Sequence, residues 1–219
     1  MRSRVRVKIC CIASLDEARV AVDAGASAIG LVAAMPSGPG PIADELIREI
    51  ATRVPPPVSR FLLTSRTGPD AVVAHVRACA VDTVQLVDAV PDATYAALRR
   101  DAPAVRIVQV IHVEGPEAIE RARRVEPHVD AILLDSGRPS APVPELGGTG
   151  RAHDWSVSRA IVDAVACPVF LAGGLDAANA RDAIETVRPF GVDVCSGVRT
   201  EGRLDPAKLA AFSDRVFRA

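Results

Sequence analysis

Short apolar segments alternate with longer amphipathic segments along the whole chain. The apolar segments lie at 5–10, 28–34, 58–63, 83–87, 105–111, 130–135, 168–173 and 191–196. Segments with apolar residues at helical spacing follow them, at 15–26, 43–54, 70–80, 93–101, 116–125, 154–165, 176–187 and 205–217. Parallel strands that are buried on both faces have such apolar runs, and crossover helices connect them. The pattern therefore predicts eight strand–helix units.

Eight such units within 219 residues predict an α/β fold in which residues 1–219 form one (β/α)8 TIM barrel domain. No linker-like segment divides the chain. An open Rossmann-like sheet is the alternative fold. It would place a glycine fingerprint after the first strand, where this chain has CCIASL. In a barrel, functional residues are expected at the carboxyl ends of the strands.

The first predicted strand carries a lysine and a thiol among its apolar residues. A two-residue period puts Lys8 and Cys10 on the same face of this strand, which would point into the barrel. An ammonium beside Cys10 would favour the thiolate and make the sulfur a usable base or nucleophile. Alternatively, Lys8 pairs with a carboxylate inside the barrel and Cys10 only fills space. The strand taken alone favours this second interpretation.

Two later strands contain carboxylates. Asp135 ends the sixth strand directly after two leucines, so partial burial is expected to raise its pKa and suit it to general acid catalysis. Capping of the following turn is its alternative role. Asp193, in the eighth strand, is a candidate partner for Lys8, because the first and last strands are neighbours in a closed barrel.

Glycine-containing turns follow the seventh and eighth strands. They contain Gly173 and Gly174 in the first turn, and Ser196 and Gly197 in the second. Backbone N–H groups at such turns can approach an anion closely, and many barrels bind phosphate there. An ordinary turn at the start of a helix is the alternative. Strand order would then place a phosphorylated ligand between Asp135 and Cys10.

Composition and charge narrow the class of ligand. The chain is 49% hydrophobic and has a formal net charge of -1, which gives no basic surplus for nucleic acid. No segment approaches the roughly 18 to 20 apolar residues of a membrane span, and the amino terminus does not resemble a secretion signal. Five cysteines, none at zinc-binding spacing, indicate reduced thiols and no metal site. We therefore expect a cytoplasmic protein with a small-molecule ligand.

Seven ordered motifs resemble those of phosphoribosylanthranilate isomerases, the (β/α)8 barrel enzymes of tryptophan biosynthesis. The motifs are VKIC (7–10), DAGASAIGLV (23–32), TVQL (83–86), ILLDS (132–136), LGGTGRAHDWS (146–156), VFLAGGLDAANA (169–180) and VDVCSGV (192–198). The resemblance implies that Cys10 is the general base and Asp135 the general acid. It further implies that the two glycine turns hold the substrate phosphate, with Lys8, Asp193 and Gln85 in supporting positions.

The reaction implied by the resemblance is an Amadori rearrangement. The acid protonates the ribose ring oxygen, the ring opens to a Schiff base, and the base removes the C2 proton. The resemblance implies no metal or organic cofactor, because the imine of the substrate itself acts as the electron sink. The GGTG segment at 147–150 could cover the site and exclude water, or it could be a structural connection. The chain is expected to act as a monomer or homodimer.

The sequence also departs from the family pattern at the end of the site that would receive anthranilate. Gly40 stands where an arginine is expected, and Val87 stands where a histidine is expected. Cysteines 11 and 195 replace a glycine and a serine, and Arg199 replaces a glutamate. Two alternatives therefore stay open. One is a paralogous enzyme acting on another phosphorylated aminosugar or ketose, and the other is a barrel that binds a phosphorylated metabolite without catalysis.

Several other polar residues are expected to have structural roles. His75 and His128 are predicted surface residues of helices or their ends, and His112 is predicted to face the barrel mouth. His153 is predicted to lie at a helix start. Arg199 would pair with an anion or be solvated.

Overall fold

Eight parallel strands close into a barrel in the computed structural model, which describes residues 4–137 and 153–219. The strands are β1 (Arg6–Ile9), β2 (Ala28–Val32), β3 (Ser59–Thr64), β4 (Thr83–Leu86), β5 (Arg106–His112), β6 (Ala131–Asp135), β7 (Val169–Leu171) and β8 (Gly191–Val194). Each strand pairs with the next one in the chain, and β8 pairs with β1. The predicted barrel is confirmed, and the open sheet is excluded.

Eight α-helices surround the barrel, one after each strand. They are α1 (Leu15–Asp23), α2 (Asp44–Arg53), α3 (Pro69–Cys79), α4 (Asp92–Asp101), α5 (Ala118–Val125), α6 (Trp155–Ala164), α7 (Ala180–Val187) and α8 (Pro206–Phe217). None of the helices in the described ranges has the length and apolar character needed to cross a bilayer.

The strands separate two hydrophobic cores. Ile9, Ile29 and Leu62 point outward and pack in the layer between the strands and the helices. Phe61 and Phe170 point inward and meet edge to face, with ring centroids 6.0 Å apart. Adjacent side chains of a strand point to opposite faces, which explains the uninterrupted apolar runs in the sequence.

Two features near β7 and β8 differ from the predicted elements. Helix α7 begins at Ala180, four residues later than predicted, because Asp176 forms a separate turn by accepting the N–H groups of Ala178 and Asn179. After β8 the chain forms a short 3-10 helix (Ser196–Val198) and a two-stranded hairpin of β9 (Arg199–Thr200) and β10 (Arg203–Leu204). Both features shape the loops at the carboxyl end of the barrel.

Candidate active site

A cavity of about 700 Å³, including the space at its mouth, opens at the carboxyl ends of the strands. Most of the predicted site residues line it, namely Cys10, Gln85, Asp135, Gly173, Gly174, Asp193 and Ser196. Gly197 lies behind the lining, where it packs against the β7 loop. The structure therefore brings together the thiol, the two carboxylates and the two glycine turns that the sequence placed in different units.

A buried ion pair lies beside the cavity, and Asp193 is the member of the pair that lines it. Lys8 on β1 is directly opposite Asp193 on β8, and Lys8 Nζ lies 2.9 Å from Asp193 Oδ2. Both residues are buried, with 0% and 7% exposure. Burial disfavours the ammonium, but the carboxylate of Asp193 and the thiol of Cys10 outweigh this effect and raise the pKa of Lys8. The predicted pairing of these two residues is confirmed.

Cys10 is held directly above this ion pair. Its backbone N–H donates to Val194 O at 2.8 Å, which fixes the end of β1 against β8. The Cys10 sulfur also contributes to the raised pKa of Lys8. Gly30 on β2 leaves room for both side chains, since a Cβ atom there would lie 2.8 Å from Cys10 Sγ and 3.0 Å from Lys8 Nζ. The thiol and the ammonium therefore occupy one confined space.

Asp135 ends β6 on another side of the cavity. Its Oδ1 accepts the backbone N–H of Ser136 at 2.7 Å. Burial raises the pKa of Asp135, although the hydrogen bond from Ser136 and the nearby His112 oppose the rise. The carboxyl group is therefore desolvated, as expected, and it also makes the local turn contact that was its alternative role.

The two glycine turns need glycine for steric reasons. Gly173 and Gly174 have φ values of +85° and +64°, which favour glycine. A Cβ atom at Gly173 would lie 2.8 Å from Ser136 Oγ, and one at Gly197 would overlap the carbonyl oxygen of Leu175. The β7 and β8 loops therefore pack against each other and leave backbone groups beside the cavity.

Asn179 supports the first of these turns, and the sequence analysis missed it. Its Nδ2 donates to Gly174 O at 2.8 Å, and its Oδ1 accepts the N–H of Asp176 at 3.0 Å. The only sequence signal for this role was the position of an Asx residue three residues after Asp176. The turn at Gly174 is thus fixed by side chains that do not line the cavity.

Arg199 has the structural role that was expected for it, and it pairs with a carboxylate of the protein instead of being solvated. Its guanidinium forms an ion pair with Glu17, with Nη2 to Oε2 at 3.0 Å, and it also donates to the carbonyl groups of Cys10 and Cys11. Glu17 in turn accepts the N–H groups of Ala13 and Leu204. This network ties the β1 loop to the hairpin that follows β8.

None of the four histidines, all of them within the described ranges, lines the cavity. The predicted surface position of His75 is wrong, because it is buried at 2% exposure against β3. His112 Nε2 lies 3.0 Å from Val87 O and faces a neighbouring cavity with Tyr95 and Arg121. His153 directly precedes α6, as predicted, with Nε2 2.6 Å from Ser158 Oγ.

The wall that would receive a substituent on the sugar nitrogen is largely apolar. Leu63, Val87 and Val110 line it, together with the amide of Gln85. The Oε1 atom of Gln85 is buried and has no hydrogen-bond partner in the part of the chain that is described. Gly40 has a φ of +76°, and a Cβ atom there would lie 2.7 Å from Cys11 Cβ. The predicted covering segment at 147–150 lies outside the described residues.

Comparisons with known proteins agree with this geometry. Residues 7–215 match the model of the N-(5'-phosphoribosyl)anthranilate (PRA) isomerase family. An N-(5'-phosphoribosyl)anthranilate isomerase from Halobacterium salinarum is 40% identical over 96% of this chain and 95% of its own. A phosphoribosyl anthranilate isomerase solved in complex with reduced 1-(o-carboxyphenylamino)-1-deoxyribulose 5-phosphate has a TM-score of 0.79 and 30% identity, over 97% of this chain and 98% of its own. The dimeric isomerase from Thermotoga maritima, solved as engineered monomers, has a TM-score of 0.78 and 29% identity over the same shares of the two chains.

Proposed function

Because the chain belongs to the N-(5'-phosphoribosyl)anthranilate isomerase family, we propose that Cys10 and Asp135 are the base and the acid of its reaction. The chain is an isomerase of tryptophan biosynthesis, and its reaction is the Amadori rearrangement of N-(5'-phosphoribosyl)anthranilate to the carboxyphenylamino-deoxyribulose phosphate. The observation that supports the two roles is that the thiol and the desolvated carboxyl group line one cavity, with the glycine turns beside them.

Asp135 supplies the first proton. A carboxyl group whose pKa is raised by burial keeps a larger protonated fraction near neutral pH. It protonates the ring oxygen of the ribose and is left as a carboxylate. The bond between that oxygen and C1 breaks, and the nitrogen lone pair forms a protonated imine with C1, in which the nitrogen keeps its own proton.

Cys10 completes the rearrangement. Its sulfur, as a thiolate, removes the proton from C2, and the electron pair of the C–H bond moves into the imine to give an enolamine. Tautomerisation of the enolamine gives the C2 ketone. The Lys8 ammonium, which shares the space beside Gly30 with this sulfur, stabilises its negative charge. Asp193 keeps that ammonium in place through the 2.9 Å ion pair.

The phosphate is bound by the glycine turns in this proposal. Gly173 and Gly174 bring backbone close to the cavity, and Ser196 adds a hydroxyl group from the β8 loop. Asn179 and Asp176 keep the first turn in its conformation. A phosphate anchored there lets the sugar extend towards both Cys10 and Asp135.

A direct assay tests the proposed activity. The purified chain is incubated with N-(5'-phosphoribosyl)anthranilate, and the isomeric product is separated and measured by chromatography. We expect turnover that depends on Asp135 and Cys10. A folded protein that leaves the substrate unchanged, and that fails to restore growth without tryptophan in a strain lacking this isomerase, would refute the proposal.

A related phosphorylated aminosugar is the second candidate substrate. In residues 4–137 and 153–219, no arginine, lysine or histidine side chain lines the cavity, so the anthranilate carboxylate meets no cation there. We expect the aniline analogue, which lacks the carboxylate, to be turned over with a kcat/KM within about tenfold of that for the anthranilate substrate. A loss of more than about a hundredfold would show that the carboxylate is specifically recognised and would remove the second candidate.

The oligomeric state and the cellular location of the enzyme are also proposals. We propose that the protein acts as a monomer or as a homodimer, since Cys10 and Asp135 line one cavity of a single chain and a related isomerase from Thermotoga maritima is dimeric. We place the enzyme in the cytoplasm, a proposal supported by five free thiols and a phosphorylated metabolite as substrate.

A further inference from the structure

A pair of thiols with no role in the proposed reaction lies in the wall of the cavity. They belong to Cys11, at the end of the β1 segment, and Cys195, directly after β8, and both line the cavity. We propose that Cys11 and Cys195 form a reversible disulfide that suppresses turnover when the protein meets an oxidant. The inference goes beyond the proposed function and rests on it only for the effect on turnover.

The two sulfur atoms are already close together. Cys11 Sγ and Cys195 Sγ are 2.7 Å apart. A disulfide bond is about 2.05 Å long, so the bond requires the sulfur atoms to approach by about 0.7 Å. A change of this size is within reach of small side-chain rotations at the two residues.

The backbone brings the two cysteines to the ends of neighbouring strands. Ile9 is paired with Val194 in the parallel register of β1 and β8, so Cys195 follows opposite Cys10. Cys11 is the next residue after Cys10, and its positive φ of 63° takes it out of the regular strand conformation. Adjacent strands are about 4.8 Å apart, and the short distance between the two sulfur atoms shows that the side chains meet across this gap.

The two thiols differ in a way that suits oxidation. Hydrogen bonds with Cys10 and Cys195, together with burial, raise the pKa of Cys11. The interaction with Cys11 and the charge of Arg199 lower the pKa of Cys195, although burial opposes them. Cys195 is also partly exposed and borders the open cavity. It is therefore the thiol that a small oxidant would meet first.

A hydroperoxide is the oxidant in the proposed disulfide formation. The Cys195 thiolate attacks the peroxide, its sulfur becomes a sulfenic acid, and the O–O bond breaks to release one water after protonation. Cys11 sulfur then attacks the sulfenic sulfur, the S–O bond breaks, and the second water leaves with the thiol proton. Two electrons pass from the sulfur atoms to the peroxide. A dithiol returns both electrons and restores the two thiols.

The bond would act on turnover through the residues next to it. Cys11 follows the proposed base Cys10, and Cys195 precedes Ser196 of the proposed phosphate turn. Forming the bond removes the Cys11 thiol proton, which is donated to Pro39 O at 3.5 Å, and moves the Cys11 side chain towards β8. Small misplacements of a catalytic group are known to cost large factors in rate. We therefore expect the oxidised protein to lose at least tenfold in turnover.

The experiment combines a peptide map with a rate measurement. The full chain is treated with hydrogen peroxide, free thiols are alkylated, and the digest is analysed by mass spectrometry without reduction. We expect a linked peptide pair that joins Cys11 to Cys195, a tenfold or greater loss of turnover, and recovery of both after addition of dithiothreitol.

Two variants separate this bond from oxidation of Cys10. Each variant is compared with its own untreated rate. Cys195→Ser should form no link and should lose less turnover under the same brief treatment, whereas Cys167→Ser, whose thiol lies outside the cavity, should keep the full sensitivity of the original chain. A Cys10–Cys11 link, no link at all, or a Cys11–Cys195 link with unchanged turnover would each overturn the proposal. If the untreated chain has no isomerase turnover, the proposed function fails, while the peptide map still decides whether the thiol pair is a redox site.

Discussion

Two clusters of polar side chains lie on opposite sides of the barrel wall. The inner cluster contains Lys8, Asp193 and Gln85, and the last two line the cavity. The outer cluster contains Thr64, His75 and Asp44, and it lies where β3 packs against α2 and α3. The inner cluster leaves Asp193 Oδ1 and Gln85 Oε1 without a hydrogen-bond partner among the described residues. In the outer cluster, His75 Nδ1 lies 3.0 Å from Thr64 Oγ1, and Nε2 lies 3.1 Å from Asp44 Oδ1.

The difference is consistent with the proposed ligand site inside the barrel and with a structural role for the outer cluster. A buried polar atom without a partner costs free energy, so a folded chain usually keeps such atoms only where water or a ligand completes them. The inner cluster has two such atoms beside an open cavity. In the outer cluster, both ring nitrogens of His75 have a hydrogen-bonding partner. The Cys79 sulfur lies within 4.8 Å of the potential metal ligands of Asp44 and His75. However, His75 could bind a metal ion only by breaking one of its hydrogen bonds.

The largest expected effect comes from breaking the inner ion pair. Asp193→Asn would leave the ammonium of Lys8, which is fully buried, without a counter-ion. Removing one partner of a buried pair typically costs about 3 to 5 kcal/mol in the free energy of unfolding. Chemical denaturation measures this loss. The matched control is Glu49→Gln, which breaks the exposed pair between Arg53 and Glu49 and should cost less than about 0.5 kcal/mol.

A result in which both variants lose the same small amount would contradict the comparison. It would mean that water reaches Lys8 and that breaking the inner ion pair costs no more stability than breaking an ion pair on the protein surface. A loss in the expected range would instead show that the buried ammonium depends on Asp193 as its counter-ion, as its proposed role beside Cys10 requires.

The next effect is on turnover, with little effect on folding. Cys10→Ala and Asp135→Asn should each lower kcat by about a hundredfold or more, since each removes one proton-transfer group. The thermal midpoint should change little, because Cys10→Ala removes a single sulfur atom and Asp135→Asn keeps the size of the side chain. Cys167→Ala is the control for the thiol deletion, since Cys167 lies before β7 and outside the cavity. Unchanged rates in either cavity variant would remove that residue from the mechanism.

Most of the fold and the inner cluster followed from local patterns in the sequence. The two-residue period of β1 placed Lys8 and Cys10 on the inner face, and closure of the barrel brought β8 beside β1. Barrel closure is a long-range property, but eight repeated units are enough to predict it. The pairing of Lys8 with Asp193 could therefore be predicted although 185 residues separate them.

The burial of His75 could have been predicted but was not. It lies three residues after Val72 and four before Cys79 on α3, both of which are buried, so helical periodicity puts all three on one face. A histidine on such a face needs partners for both ring nitrogens. The position of His75 on the buried face of the helix is therefore a better guide to its burial than its polar side chain.

The network around Arg199 could not have been predicted from local patterns. Its partner Glu17 lies 182 residues away, in the first turn of α1. The contact depends on the hairpin after β8, and two strands of two residues leave no periodic signal in the sequence. The contact between Cys11 and Cys195 depends in the same way on how two loops are placed after adjacent strands, and Cys11 adopts a positive φ of 63° that no sequence pattern indicated.

The smallest expected effect comes from the outer cluster and depends on pH. Burial lowers the pKa of His75 below its ordinary value of 6.5, although Asp44 opposes the shift. As the pH falls below about 6.5, the unfolded chain therefore takes up a proton that the folded chain resists, and stability falls by at most about 1.4 kcal/mol per pH unit. His75→Gln keeps one hydrogen-bonding group but cannot titrate. The variant should be less stable than the original chain by about 1 kcal/mol at pH 8, and this difference in stability should shrink as the pH falls towards 5.

Urea denaturation from pH 8 to 5 measures both effects of His75→Gln, and turnover should be unaffected at either end of this range. A stability difference that stays constant from pH 8 to 5 would show that the ring is not kept neutral by burial, and a loss of turnover would show that the outer cluster does more than support the barrel wall.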